Sequence, residues 1–173
     1  LMRRDGVGLA RDAIEGEIEF RNVRFTHESA QTPTLDNINL KIRKGTTLAI
    51  VGYTGSGKSS FVNLIPRLYD ISHGELLIDG VEIRKIPVEV LRRNIGYVPQ
   101  ETFLFSDSIA ENIRYGDDGA QRELIHDAAE VSQIAKDVAD FPQRFETMLG
   151  ERGITLSGGQ KQRTSIARAI LRK

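Results

Sequence analysis

The sequence predicts an α/β fold in which a partly antiparallel sheet comes first and a run of helices comes last. Three observations carry that expectation. Two early stretches alternate apolar and polar residues: "EIEFRNVRF" (residues 17–25), with Ile18 and Phe20 in phase and Val23 and Phe25 out of it, and "INLKI" (residues 38–42). A period of two marks half-buried strands of antiparallel type. A third stretch, "TTLAIV" (residues 46–51), is a short continuous apolar run, the pattern of a strand covered on both faces. From about residue 106 the spacing changes to three and four residues, as in Leu124, Ala128, Val131 and Ala135, which is the period of helices.

The remaining elements follow in order. After residue 51 the chain enters a glycine loop and then a helix from Lys58 to about Tyr69, which Pro66 is expected to bend. "SHGELLIDGVEI" (residues 72–83) carries His-Gly and Asp-Gly turns around an apolar stretch and predicts a hairpin. Pro87 opens a short helix, "VEVLRRN", and "IGYVPQ" (residues 95–100) reads as a further strand ending at Pro99. The last helix begins at Ser157. No internal repeat or low-complexity tract is present.

Composition narrows the function classes. With 173 residues, 39% apolar and 28% charged, the chain has the make-up of an ordinary globular domain with a sizeable core. Lys plus Arg equals Asp plus Glu, 24 each, so the basic excess of a general nucleic-acid binder is missing. Cysteine is absent, which excludes disulfides and thiolate metal sites, and His73 and His126 show no metal-ligand spacing. No apolar run approaches the ~20 residues of a membrane-spanning helix. "LMRRDGVGLARDAIEG" (residues 1–16) lacks the apolar stretch of a signal peptide and reads as a linker. "SIARAILRK" runs out inside a helical pattern with no glycine or proline to close it, so the chain reads as cut there.

Two short stretches carry the chemistry. "GYTGSGKS" (residues 52–59) fits G-x-x-x-x-G-K-[ST], between an apolar run and a helix, the context in which that spacing cradles phosphate. Lacking Cβ atoms, Gly55 and Gly57 let the loop Gly52-Tyr53-Thr54-Gly55-Ser56-Gly57 curl round an anion, with N–H groups from about Gly55 to Ser60 directed inward. Lys58 can bridge the β- and γ-phosphates of a nucleotide, and the Ser59 hydroxyl can ligate Mg²⁺. A glycine turn capped by a serine is the plainer alternative. The second stretch is Leu156-Ser157-Gly158-Gly159-Gln160, "LSGGQ", which also opens a helix, with Ser157 as N-cap. Taken alone it is no more than a helix start.

Together, and in this order, the two stretches resemble the nucleotide-binding domain of ABC (ATP-binding cassette) transporters, whose signature is the same pentapeptide. The resemblance runs from about residue 16 to residue 173. It implies a P-loop NTPase (RecA-like) core with an antiparallel β subdomain and a helical subdomain at about residues 101–156, within an incomplete domain at residues 17–173 whose C-terminal core part is missing. It also implies ATP and Mg²⁺ as ligands and a second nucleotide-binding domain, identical or different, as partner. In that family two cassettes pack head to tail around ATP, so Ser157 and Gly159 would contact the γ-phosphate held by the partner's copy of Lys58. Gln100, at the end of "GYVPQ", matches the glutamine that reaches Mg²⁺ or the attacking water. "GERG" (residues 150–153) and "FLFSDSIAENIRYG" (residues 103–116) look like exporter-type segments. They imply a membrane domain of the same polypeptide and a place on the cytoplasmic face of a membrane, with residues 1–16 as the exit linker.

The sequence also departs from the family pattern. Where many members place a tyrosine against adenine, this chain has His27, which covers less of the purine. The family's apolar strand with its Mg²⁺-supporting aspartate, the catalytic glutamate and the switch histidine have not appeared by residue 173. "LLIDG" (residues 76–80) imitates the strand, but Gly80 follows Asp79 within the hairpin. Because a general base contributes ~10²–10⁴ in rate, these residues alone are expected to bind ATP and hydrolyse it slowly, on a marginally stable core. The competing reading is a soluble ABC ATPase acting mechanically on nucleic acid or ribosomes. Neutral charge, and a short interval without heptads between the motifs, disfavour it. A GTPase or small-molecule kinase is weaker still, since no N-K-x-D guanine motif occurs.

Overall fold

A computed structural model of the chain describes residues 14–150 and 155–172. Most of the linker at residues 1–16, and all but the first residue of "GERG", lie outside the described residues. The chain divides into two compact units, Leu1–Arg92 and Arg93–Lys173.

In the first unit β1 (Ile18–Phe25), β2 (Leu35–Ile42), β3 (His73–Ile78) and β4 (Val81–Glu82) form an antiparallel sheet in the order β2-β1-β3-β4. The phase slip in "EIEFRNVRF" has a structural cause. The β1–β2 register shifts between Phe20 and Val23, and Asn22 adopts a φ of 49°. This bulge turns Phe20, Val23 and Phe25 all inward, at 1%, 0% and 4% exposure. Helix α1 (Lys58–Leu64) docks on that face by stacking Phe61 on Phe20, with ring centroids 4.5 Å apart. The helix stops at Leu64, earlier than the sequence suggests. Pro66 cannot continue the hydrogen-bond ladder, and Arg67 turns left-handed with a φ of 52°.

Asp79 and Gly80 form the tip of the β3–β4 hairpin, both with positive φ, 51° and 76°, as a tight primed turn requires. The Asp79 carboxylate accepts hydrogen bonds from the backbone N–H groups of Glu15 (2.7 Å), Gly16 (3.3 Å) and Glu17 (2.8 Å), while its own N–H donates to the Glu17 carbonyl. Its oxygens thus clasp the lead-in to β1. Asp79→Ala is expected to cost about 1 kcal/mol, at the low end for hydrogen bonds to a charged group because the clasp is exposed. Chemical denaturation checks this, read as loss of protection at the amides of Glu15 and Glu17.

Two expected strands are not formed. Residues 46–51 and 95–99 are irregular, and Leu48, Ile50 and Val51 are 43%, 38% and 91% exposed. A strand of that composition exists only when ladders on its flanks satisfy its backbone and cover its side chains. Among the described residues no strand pairs with either run.

The proline-led helix is α2 (Val88–Arg93), and the second unit holds α3 (Ile109–Arg114), α4 (Arg122–Val131), α5 (Ala135–Ala139) and α6 (Gly158–Ile170). Its core gathers Ile109 and Ile113 of α3, Ile125 and Ala129 of α4, Val138 of α5 and Ala167 of α6. The helical stretch after residue 106 is broken rather than continuous, because Gln133 takes a φ of 64° between α4 and α5. Of the residues whose spacing marks α4 as helical, only Ala128 is buried. Ile125, Ala128 and Ala129 point inward, whereas Leu124 and Val131, seven residues apart and so on one side of the helix, are exposed. Among the described residues no helix is long and apolar enough to cross a membrane.

Candidate functional site

Each unit carries one glycine-rich helix start. In the first, Gly57 is the N-cap of α1 with a φ of 86°, and a Cβ there would meet Thr34 O and Leu35 Cδ2 at 3.0 Å. Both the dihedral and the close approach to the start of β2 demand glycine. Gly55 is left-handed too, with a φ of 82°, and a Cβ on Gly52 would come within 2.8 Å of Ser56 Oγ. The Lys58 ammonium closes the loop from within: Nζ donates to the carbonyls of Gly52 and Tyr53, both at 2.7 Å, and lies 3.4 Å from Ser56 Oγ. The backbone N–H groups of Lys58, Ser59 and Ser60 belong to the first turn, where no intrahelical acceptor exists. No acidic residue lies in that turn.

Gly55, Gly57, Lys58, Ser59 and Ser60 line a cavity of about 340 Å³, which Thr34 and His27 complete. His27 Nε2 sits 3.1 Å from Ser60 Oγ. Its ring meets Phe25 and Tyr69 edge-on, at centroid distances of 4.6 Å and 5.2 Å. The histidine therefore borders the cavity on an aromatic support. Tyr69, 43% exposed, backs His27 without lining the cavity, a contact that sequence reasoning missed because the two residues lie far apart in the chain. Tyr53, at 91% exposure, and Thr54 face outward on the loop.

In the second unit Ser157 caps α6 through a complete capping box. Ser157 Oγ accepts from the Gln160 N–H (3.3 Å), and Gln160 Oε1 accepts from the Ser157 N–H (2.9 Å). Of the four N–H groups that a helix start leaves without partners, this box satisfies two. The other two belong to Gly158 and Gly159, both exposed. A Cβ on Gly158 would meet nothing within 4 Å, and one on Gly159 only the Arg163 guanidinium at 3.4 Å. Among the described residues, packing does not require glycine at either place. Leu156, 4% exposed, anchors the segment in the core.

Both ends of α6 are tied to other helices by side chains that no sequence motif announces. At its start, Asp137 of α5 accepts from Gln160 Nε2 (3.2 Å) and from Arg163 Nη2 (2.7 Å). Burial alone would raise the Asp137 pKa, but the Arg163 and Gln160 hydrogen bonds outweigh it and hold the carboxyl below its ordinary value. A lowered carboxyl pKa means that this contribution to stability is complete at neutral pH, and it is lost as the pH falls below about 4. Near the other end, Arg168 donates to the Asn112 carbonyl (2.8 Å) and to Phe103 O (3.2 Å), with its guanidinium over the rings of Phe105 and Tyr115 at 5.6 and 5.5 Å. The exporter-like segment at residues 103–116 is thereby fastened to the signature helix. Gln100 lies in an exposed bend of this unit.

Comparisons with known proteins agree on one family. The profile of the ABC transporter family matches residues 35–173. A Bacillus subtilis ABC transporter ATP-binding protein, YfiB, is 47% identical over 166 residues, 96% of this chain and 29% of that protein. The putative multidrug export ATP-binding/permease protein YgaD of the same organism is 48% identical, over 93% of this chain and 28% of its own length. An ATP-dependent lipid A-core flippase of Syntrophus aciditrophicus is 45% identical over 98% of this chain and 28% of the flippase. This chain thus spans less than a third of these relatives. Among solved structures, a bacterial Atm1-family ABC exporter with ATP bound superposes with a TM-score of 0.89 at 38% identity, over 99% of this chain and 30% of that one. This chain belongs to the ABC transporter family, as nucleotide-binding-domain sequence of the exporter type.

Proposed function

We propose that this chain is the ATP-binding module of an ABC exporter, and that its two glycine-rich helix starts serve two different nucleotides. The Gly52–Ser60 loop holds the triphosphate of the chain's own ATP: Gly55 and Gly57 make room, first-turn N–H groups of α1 donate, and Lys58 leaves the loop carbonyls for the β- and γ-phosphates. His27 at the cavity border, backed by Tyr69, supplies ring area for the base. The Ser59 hydroxyl would hold Mg²⁺ through a neutral oxygen, a donor that suits a cation bound chiefly to phosphate. The ion, when bound, neutralises charge developing on the phosphates.

Leu156–Gln160 completes the site of a second cassette. The observation that carries this reading is the pair Gly158 and Gly159, exposed donors that internal packing does not require to be glycine. Glycine at a helix start weakens the helix, and an approaching group explains why the surface there is kept bare. With half of each pocket on each copy, ATP binding favours pairing by mass action. In the whole protein that pairing would drive a membrane domain of the same polypeptide at the cytoplasmic face of a membrane, and hydrolysis would reset it. Among the described residues no carboxylate lines the Gly52–Ser60 cavity, Asp79 is engaged by the backbone and Asp137 by Arg163, so the 173 residues alone should turn ATP over slowly.

The test is Ser157→Arg in the full-length protein. MgADP binding should stay within twofold, because a diphosphate offers nothing to the partner's signature, while ATP-driven closure of the two cassettes is lost. A parallel loss of MgADP affinity would contradict the assignment of Ser157 to the partner's site.

A further inference from the structure

We propose that Asp137 is a positioning residue for the signature: through Gln160 it fixes the direction in which the Gly158 and Gly159 N–H groups point, while Arg163 cancels the negative charge that the carboxylate brings. The inference rests on the partner-site reading above.

The argument begins with the Gln160 amide, which has one acceptor and one donor end. A carboxylate only accepts, so Asp137 Oδ1 draws the NH₂ group to itself at 3.2 Å. Gln160 Oε1 is then left facing the Ser157 N–H at 2.9 Å. Without the acid only the Ser157 N–H selects the orientation of the amide, and the reversed form, which places NH₂ against that N–H, donor against donor, becomes easier to reach. In that form the capping box would open. Ser157 Oγ already accepts from the Gln160 N–H, so its own O–H proton can be directed outward toward a phosphate oxygen.

Charge supplies the second half. A lone carboxylate beside an anion site would repel a triphosphate. Arg163, one turn further along α6, donates to Asp137 Oδ2 from Nε (3.2 Å) and Nη2 (2.7 Å). This two-pronged pair cancels the charge and holds the guanidinium beneath Gly159, 3.4 Å from where its Cβ would be. One side chain on α5 thereby sets hydrogen-bond polarity at the first turn of a different helix, and its charge is neutralised where it sits.

The experiment compares Asp137→Ala and Asp137→Asn with Ser157→Arg in the full-length protein. MgADP affinity is measured by titration and cassette closure by its MgATP dependence. Asp137→Ala should shift the MgATP concentration for closure upward about tenfold with MgADP affinity within twofold. Asp137→Asn, which can still accept from Gln160 but loses the charge, should fall between it and the unaltered protein. Closure by both Asp137 variants at the unaltered MgATP concentration, with Ser157→Arg defective, would overturn the role of Asp137 alone. Normal closure by Ser157→Arg would overturn the partner-site reading beneath it. If MgADP affinity and closure fell together in both Asp137 variants, the residue would be structural and the proposal wrong.

Discussion

Lys58→Ala should weaken MgATP binding by roughly 100-fold while the secondary structure, followed by circular dichroism, stays as it was. The first half follows from the charge. Hydrogen bonds to charged groups are worth about 1.5–3 kcal/mol, and the upper figure corresponds to about two decades in Kd. Among the described residues no other Lys or Arg lines the cavity formed by His27, Thr34 and the loop, so nothing among them substitutes for the ammonium. The second half follows from what Lys58 does without nucleotide. Its Nζ bonds the Gly52 and Tyr53 carbonyls, but Gly52 and Tyr53 are exposed, and water can take over as donor. Fold and binding should therefore separate cleanly. Calorimetric titration of the full-length variant decides the matter: an affinity within threefold of the unaltered protein would remove Lys58 from the phosphate site.

How much of this could be read before any coordinates depends on how local the cause is. The Gly52–Ser60 loop and the Ser157 cap lie in consecutive residues, and backbone chemistry fixes them: glycine where φ is positive, serine where a helix start wants an acceptor. The β1 bulge was also visible, as a slip of phase between Phe20 and Val23. What stayed hidden was non-local. Asp137 and Arg163 meet across two helices, as do Asn112 and Arg168, and no spacing rule joins positions so far apart. The runs at residues 46–51 and 95–99 failed as strands for a related reason: composition says what a strand could be, and its neighbours decide whether it forms. On α4 the spacing gave the period but not the buried face, because Leu124 is as apolar as Ile125 and only the packing partners chose between them.

Gly116→Ala is expected to produce the largest loss of stability in the second unit, about 3 kcal/mol. Gly116 follows α3 where it passes the last turns of α6. A Cβ there would lie 2.1 Å from the Arg168 carbonyl oxygen, 3.1 Å from its carbonyl carbon and 3.2 Å from Leu171 Cβ. The first two are main-chain atoms inside a helix, so no side-chain rotation relieves the contact, and the helices themselves must separate. Overpacking of a filled interface costs about 1–3 kcal/mol, and here the displacement also strains the bond from Arg172 Nε to the Gly116 carbonyl (3.1 Å) and the Arg168 bonds to Asn112. Hydrogen exchange on the full-length protein reads the effect locally: amide protection in α3 and α6 should fall by roughly 100-fold, while β1 to β4 keep theirs. Gly158→Ala is the matched control on the same helix, since its added methyl meets nothing within 4 Å and replaces the poorer helix former. It should leave α6 protection unchanged or raise it. Equal losses at the two positions would mean that the close approach of α3 to α6 is not what demands glycine at 116.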